Sequence, residues 1–155
     1  AYTVMQENFT KLILNFVKEN GLEKNQLGLE ITETAELEDR NKAAFAFETL
    51  KENGVPLALD DFGAGYSSLS YLRDLPISLI KLDKNFANTI DLSDTKELVK
   101  FVVNISNNLK LDMLVEGIET LEQKNEFMNL GCKRGQGYFF HRPEFLEDFI
   151  ENYGE

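Results

Sequence analysis

The stretch Asp60-Asp61-Phe62-Gly63-Ala64-Gly65-Tyr66-Ser67-Ser68-Leu69 is the most informative part of this chain. Two adjacent carboxylates follow the short apolar segment 55–59, and a loop that contains glycine comes directly after them. Acidic residues at the C-terminal end of a buried strand, next to a loop, are typical of the active-site face of an α/β barrel. The stretch therefore predicts a functional site at the end of a parallel strand.

Strand-like and helix-like segments alternate along the chain. Helical spacing of apolar residues predicts helices over 8–19, 38–52, 67–73, 93–108 and 121–130, and a last one after Pro143. On the helix over 93–108, one face carries Leu98, Phe101, Val102 and Ile105. Strands are predicted over 27–32, 55–60, 77–82, 111–116 and 135–139. Five strands with helical crossovers indicate a parallel α/β sheet, which is either open or the C-terminal part of a barrel.

Composition narrows the class of protein. A chain of 155 residues has room for a single domain with a real core. The net charge of −11 argues against a basic nucleic-acid-binding surface, so no DNA partner is expected. One histidine and one cysteine argue against zinc chemistry, a catalytic triad and a disulfide. No apolar segment is long enough to cross a membrane, and the first residues show no signal-peptide pattern. We therefore expect a cytoplasmic domain without membrane contact.

Polar residues stand at the predicted strand ends. In chain order they are Glu30 with Glu33, Asp60 with Asp61, Lys81 with Asp83, Glu116 with Glu119, and Gln136. Ends of parallel strands meet at one edge, where several acids repel one another unless cations are bound. A pair of divalent metals suits this arrangement and phosphodiester hydrolysis. Structural alternatives exist for single members, since adjacent aspartates often cap turns or helices and Glu30 can simply pair with Lys81.

These residues resemble the EAL domain, the cyclic di-GMP phosphodiesterase family. The matching stretches lie in the family's order and cover nearly the whole chain: Leu29-Glu30-Ile31-Thr32-Glu33-Thr34, the Asp60–Leu69 stretch, Leu75-Pro76-Ile77, Ile80-Lys81-Leu82-Asp83, Val115-Glu116-Gly117-Ile118-Glu119-Thr120, Gly131-Cys132, and Gly135-Gln136-Gly137-Tyr138-Phe139-Phe140 with Pro143. The resemblance implies a TIM-like (β/α) barrel, incomplete, with about five C-terminal βα units in this chain.

The resemblance also implies an activity and roles for individual residues. The activity would be hydrolysis of cyclic di-GMP to linear pGpG in bacterial second-messenger signalling, with two Mg²⁺ or Mn²⁺ ions. Glu30, Asp60 and Asp61 would be metal ligands. Lys81 would orient the attacking water, and Glu116 would bind the second metal or act as a base. Glu119 and Gln136 would lie in the substrate pocket, and Glu33 would hold the loop over 62–68.

Two family motifs have no counterpart here, namely the Glu-Ala-Leu signature and the asparagine motif of the next strand. We therefore expect residues 1–155 to be one EAL-type domain truncated at its N-terminus, weakly active or inactive alone. Open sheet edges favour a homodimer or a strand-swapped oligomer. The parent protein is expected to carry an upstream sensor or GGDEF (diguanylate cyclase) domain.

Two other functions compete with this hypothesis. The chain is alternatively a non-catalytic module that binds cyclic di-GMP or a protein partner without cleaving anything. Retention of Glu30, Asp60, Asp61, Lys81 and Glu116 argues against a decayed site. An enolase-like barrel also combines carboxylates, lysine and magnesium, but the glycine loop and the Gln136 motif disfavour it.

Overall fold

Five parallel strands form one sheet in the computed structural model, which describes residues 8–32, 35, 37, 39–65 and 68–154. The strands are β1 (Leu29–Thr32), β2 (Leu57–Phe62), β3 (Ile77–Leu82), β4 (Asp112–Val115) and β5 (Arg134–Gly135). Their spatial order is their chain order, with every neighbouring pair parallel. The predicted parallel α/β architecture is confirmed. The C-terminal ends of all five strands therefore lie along one edge.

Seven helices connect or flank the strands within the described ranges. They are α1 (Phe9–Glu19), α2 (Arg40–Glu52), α3 (Ser68–Asp74), α4 (Lys84–Asn88), α5 (Ser93–Leu109), α6 (Leu121–Asn129) and α7 (Leu146–Tyr153). The start of α2 is set by Asp39, whose side chain accepts a hydrogen bond from the Lys42 N–H at 3.1 Å. None of these helices has the length and apolar character needed to span a bilayer.

The core lies between the sheet and its helices. In the central strands β2 and β3, Leu59, Ile80 and Leu82 are fully buried. Parallel strands are covered on both faces, so such continuous apolar runs are expected. Each buried leucine or isoleucine contributes about 1.5–3 kcal/mol relative to an exposed one. The polar residues at the strand ends are therefore carried by the most firmly packed part of the molecule.

The helix α5 buries a different face from the one that its apolar pattern predicts. Val102 is buried, whereas Leu98 and Phe101 are 55% and 53% exposed. Val99 and Ser106 complete the buried side instead. The Ser106 hydroxyl is tolerated there because it donates a hydrogen bond to the Val102 carbonyl at 2.8 Å. The helix thus has apolar residues on its exposed side as well as on its buried side. Hydrophobicity alone does not tell which of the two sides faces the core.

The last strand and one helix depart from the sequence prediction. The predicted strand over 135–139 is wrong, because β5 ends at Gly135 and the chain turns at Gly137. A Cβ at Gly137 would lie 2.2 Å from the Ile118 carbonyl oxygen, so only glycine fits where the chain turns beside the loop after β4. The short helix α4 was not predicted, although buried Asp83 caps it by accepting from the Asn85 N–H at 2.9 Å.

The loop after β4 is packed tightly against α4 at Gly117. Gly117 has φ of +69°, and a Cβ there would lie 2.6 Å from Lys84 Cβ and 3.2 Å from Lys84 Cα. The second of these atoms is backbone and cannot move by a side-chain rotation. Gly21 has a similar φ of +63° but has nothing within 4 Å of the same position.

We expect Gly117→Ala to destabilise the chain more than Gly21→Ala. Both variants carry the left-handed backbone penalty of about 1–2 kcal/mol. Only Gly117→Ala adds a steric conflict, which typically costs a further 1 kcal/mol or more, about the cost of overpacking. Urea unfolding of the two variants measures the difference. Equal shifts of the unfolding midpoint in the two variants would show that the loop after β4 moves to accommodate the methyl group at no measurable cost.

The single cysteine lies in the core. Cys132 is 8% exposed and packs in the main hydrophobic cluster. Burial raises the pKa of the Cys132 thiol from an ordinary value of 9.0 to about 12. The folded chain therefore keeps the thiol proton between pH 9 and pH 12, while the unfolded chain loses it.

Because the unfolded state binds fewer protons in that window, the free energy of unfolding falls as pH rises above 9. Between pH 8 and pH 10 we expect the wild type to lose about 1 kcal/mol more than Cys132→Ala, which lacks the thiol. Urea titrations of both proteins at the two pH values give this difference. Parallel losses in the two proteins would contradict the burial of the thiol in the folded state.

Candidate metal centre

Charged residues from the strands meet at the C-terminal edge of the sheet. The Lys81 ammonium lies at the centre of this group. Its Nζ atom is 3.0 Å from Glu30 Oε1, 2.8 Å from Asp60 Oδ1 and 3.0 Å from Glu116 Oε1. The strands β1, β2 and β3 carry Glu30, Asp60 and Lys81, and Glu116 directly follows β4. The pair of Glu30 with Lys81, which the sequence offered as a structural alternative, is present as one of three such contacts.

Lys81 is 8% exposed, an unusual degree of burial for a lysine. Burial by itself lowers the pKa of Lys81, but hydrogen bonding to Asp60, Glu116 and Glu30 outweighs it and raises the pKa above the ordinary 10.5. The side chain therefore remains a cation at every pH near neutrality. The site therefore contains a permanent, buried positive charge.

A bulge in β2 places two neighbouring carboxylates on the same side. Leu59 is in register with Ile80 and Phe62 with Leu82, so that Asp60 and Asp61 together lie opposite Lys81 alone. Asp61 has φ of +54°, in the left-handed region. Successive side chains of a regular strand point to opposite faces, and the extra residue of a bulge removes that alternation. Both aspartates can therefore contribute to one site.

Three carboxylates form a group that fits a divalent cation. One oxygen from each of Asp60, Asp61 and Glu116 lies within 4.8 Å of the other two. The Asp60 Oδ1 atom is buried and, apart from its ion pair with Lys81, has no hydrogen-bond partner among the described residues. Carboxylate oxygens are the ligands of hard ions such as Mg²⁺ and Mn²⁺. The three carboxylate oxygens together suit such an ion.

The other predicted site residues lie at different distances from this group. Glu30 approaches it through Lys81, and its side chain is 53% exposed. Gln136 donates a hydrogen bond from Nε2 to Glu116 Oε1 at 2.9 Å. Glu119 is exposed and lines the adjoining cavity. Glu33 lies outside the described residues. The roles of all these residues stay predictions.

A cavity of about 800 Å³ opens beside the carboxylate group. Glu116, Glu119, Gln136 and Arg142 are among the residues that line it. The Arg142 guanidinium lies 4.6 Å from the centre of the Tyr138 ring, which holds this cation at the cavity wall.

The sequence did not lead us to Arg142. It did not lead us to Lys84 either, which is a second cationic residue that lines the cavity. The spacing of Tyr138 and Arg142, four residues apart just after the last strand, was the available signal for the first. No sequence signal pointed to Lys84, because its position at the cavity depends on the helix α4, which was not predicted. With these cations, a cavity next to a hard-metal site can accommodate an anionic ligand such as a phosphate ester.

Comparison with known proteins agrees with this geometry. The family model of the EAL domain matches residues 2–143. The chain is 37% identical over 139 residues to the bifunctional diguanylate cyclase/cyclic di-GMP phosphodiesterase MucR of Pseudomonas aeruginosa, covering 89% of this chain and 20% of that protein. The chain spans about a fifth of the length of the curated relatives it matches.

Solved structures show the same fold. The EAL domain of Mycobacterium smegmatis DcpA matches with a TM-score of 0.90 and 29% identity, over 96% of this chain and 67% of that one. The manganese/cyclic di-GMP complex of Klebsiella pneumoniae BlrP1 matches with a TM-score of 0.83 and 30% identity, over 91% of this chain and 36% of that one. The expected incomplete TIM-like barrel is confirmed. The family model, the relatives and the fold agree, and the chain belongs to the EAL domain family.

Proposed function

We propose that this site takes part in the metal-dependent hydrolysis of cyclic di-GMP to the linear dinucleotide pGpG. The observation that carries the proposal is the cluster of Asp60, Asp61 and Glu116 within 4.8 Å, placed against a buried ammonium group. Such a cluster can hold hard cations close to the phosphate of a ligand in the neighbouring cavity.

The names of similar proteins support the choice of substrate. MucR is a diguanylate cyclase and cyclic di-GMP phosphodiesterase, and BlrP1 has been solved with manganese and cyclic di-GMP. We extend this substrate, and a pair of Mg²⁺ or Mn²⁺ ions, to the present chain. A cytoplasmic parent protein with an upstream sensor or GGDEF domain is part of the same proposal, in line with the two activities of MucR.

Each residue has a role in this proposal. Asp60, Asp61 and Glu116 hold the ions, with Glu30 as a further ligand. Bound divalent ions activate water and stabilise charge on the phosphate oxygens.

The remaining groups orient water and nucleotide. Lys81 donates hydrogen bonds to the attacking water and a phosphate oxygen. Gln136 keeps the Glu116 carboxylate in place through the 2.9 Å hydrogen bond, and Glu119 contacts the nucleotide at the cavity wall.

The test combines calorimetry with chromatography on the same protein. We expect cyclic di-GMP to bind only with Mg²⁺ or Mn²⁺, and Asp60→Asn to weaken this binding at least tenfold, about the effect of losing one strong charged contact. The exposed Asp91→Asn is the matched control and should bind like the wild type. Turnover to pGpG is expected to be slow, because two motifs of the family have no match in this sequence.

The two readouts separate the competing functions. Metal-dependent binding together with pGpG that disappears in Asp60→Asn supports the phosphodiesterase. Binding with no product in long incubations favours the non-catalytic binding module. A lack of cyclic di-GMP binding, with or without metal, would refute the phosphodiesterase and the nucleotide-binding module, and would leave only a module that binds a protein partner.

We also propose that the chain self-associates through the sheet edges, as a homodimer or a strand-swapped oligomer. Both β1 and β5 have a strand neighbour on one side only among the described residues. Beside β1, the helix α1 leaves Leu12 and Phe16 63% and 50% exposed. An unpaired edge with an apolar border is a site for pairing between chains.

Light scattering measures this association directly. We expect a mass above that of the monomer of 17.7 kDa, and a decrease toward the monomer in a Leu12→Lys/Phe16→Lys variant. Phe45→Lys, which changes a 78% exposed aromatic residue on α2, is the control and should leave the mass unchanged. A wild type that is monomeric at every concentration would contradict the proposal.

A further inference from the structure

The buried ammonium and the candidate metal ligands share the same oxygens. Lys81 Nζ contacts Asp60 Oδ1 and Glu116 Oε1, and both carboxylates belong to the three-membered group that suits a cation. We propose that Lys81 is the internal counter-ion of the metal centre: its ammonium competes with a divalent cation for Asp60 and Glu116, and so sets how tightly the chain holds that cation. The inference rests on the metal-binding part of the proposed function.

The charges at the site explain why a counter-ion is needed. Three carboxylates, those of Glu30, Asp60 and Glu116, contact one ammonium group, and the carboxylate of Asp61 lies close to two of them. Like charges at such short range repel, and partial burial strengthens the repulsion. Removing one partner of a buried ion pair is costly because the other charge is left uncompensated. Lys81 therefore stabilises the folded chain where no other cation contacts these carboxylates.

The geometry limits how this competition can proceed. Lys81 lies in β3, which is paired on one side with β2 and on the other with β4. Its backbone is held by both neighbours, so the ammonium leaves the carboxylates by rotation of its own side chain. Asp61 is in the cation group but is not among the three contacts of Lys81. Asp61 would therefore be open to a cation at the outset, whereas Asp60 and Glu116 would become ligands only as the ammonium moves away.

Displacement gives the ammonium a second task. Once released from Asp60 and Glu116, Lys81 Nζ would have hydrogen-bond donors available for another acceptor. Metal binding and the availability of Lys81 for a water or a phosphate oxygen are thereby coupled. This coupling concerns metal affinity first, so it can be measured without nucleotide.

The experiment is calorimetric titration of Mn²⁺ into the whole chain, without nucleotide. We expect Lys81→Met, which keeps the size of the side chain but removes its charge, to bind Mn²⁺ at least tenfold more tightly than the wild type. The matched control is Lys96→Met, which removes a lysine from a 2.6 Å ion pair with Glu126 away from the metal group. Its affinity should remain within twofold of the wild-type value.

Thermal unfolding supplies an independent readout. In EDTA, Lys81→Met is expected to unfold at a lower temperature than the wild type, and Mn²⁺ is expected to raise its midpoint by more than it raises that of the wild type. If Lys81→Met does not fold in EDTA or in Mn²⁺, Lys81→Arg provides the test instead. Its guanidinium keeps the charge and binds carboxylates with parallel hydrogen bonds, so it should weaken Mn²⁺ binding at least threefold.

The outcomes separate this inference from the proposed phosphodiesterase activity. The expected order of Mn²⁺ affinities supports the counter-ion role even if no pGpG is formed. Equal affinities in the folded variants and the wild type overturn it, even if the chain hydrolyses cyclic di-GMP. A lack of Mn²⁺ binding in every variant overturns it as well.

Discussion

One buried ammonium group contacts two carboxylates in strands and a third just after a strand, and the charged edge of this sheet depends on this interaction. Lys81 reaches Glu30, Asp60 and Glu116 within 3.0 Å. Acids at the ends of neighbouring parallel strands are forced into proximity by the fold itself, whatever their chemistry. A cation between them therefore offsets their mutual repulsion in the folded chain. In our proposal, the same charge that offsets the repulsion among these acids also competes with any other cation that they attract.

Much of this arrangement could be predicted from the sequence, because it depends on strand ends. The apolar run before Asp60 and the one that contains Lys81 are buried strands, as expected, and their parallel order brings Glu30, Asp60, Lys81 and Glu116 together. Chain order equals spatial order in this sheet, so position along the sequence translates directly into position along the edge. The contact between Gln136 and Glu116 follows from the same rule.

Features that depend on close approach between distant segments could not be predicted. At Gly137 the chain turns so close to the Ile118 backbone that there is no room for a side chain. The apolar pattern of α5 does not distinguish Phe101, which is exposed, from Val102, which is buried, since both are hydrophobic and adjacent. The bulge at Asp60 and Asp61 is likewise invisible to periodicity, although two neighbouring carboxylates that share one site require such a break in a strand.

The bulge in β2 has a consequence for protein engineering. A designer who copies the Asp-Asp dipeptide onto an ideal strand of another scaffold would obtain two side chains on opposite faces of the sheet. One carboxylate would then enter the layer between sheet and helices, where it has neither water nor a counter-charge. A working transplant has to include the left-handed residue at the position of Asp61 and the unequal residue count between two strands. The transferable unit is thus a backbone irregularity that happens to carry two acids, rather than the pair of acids.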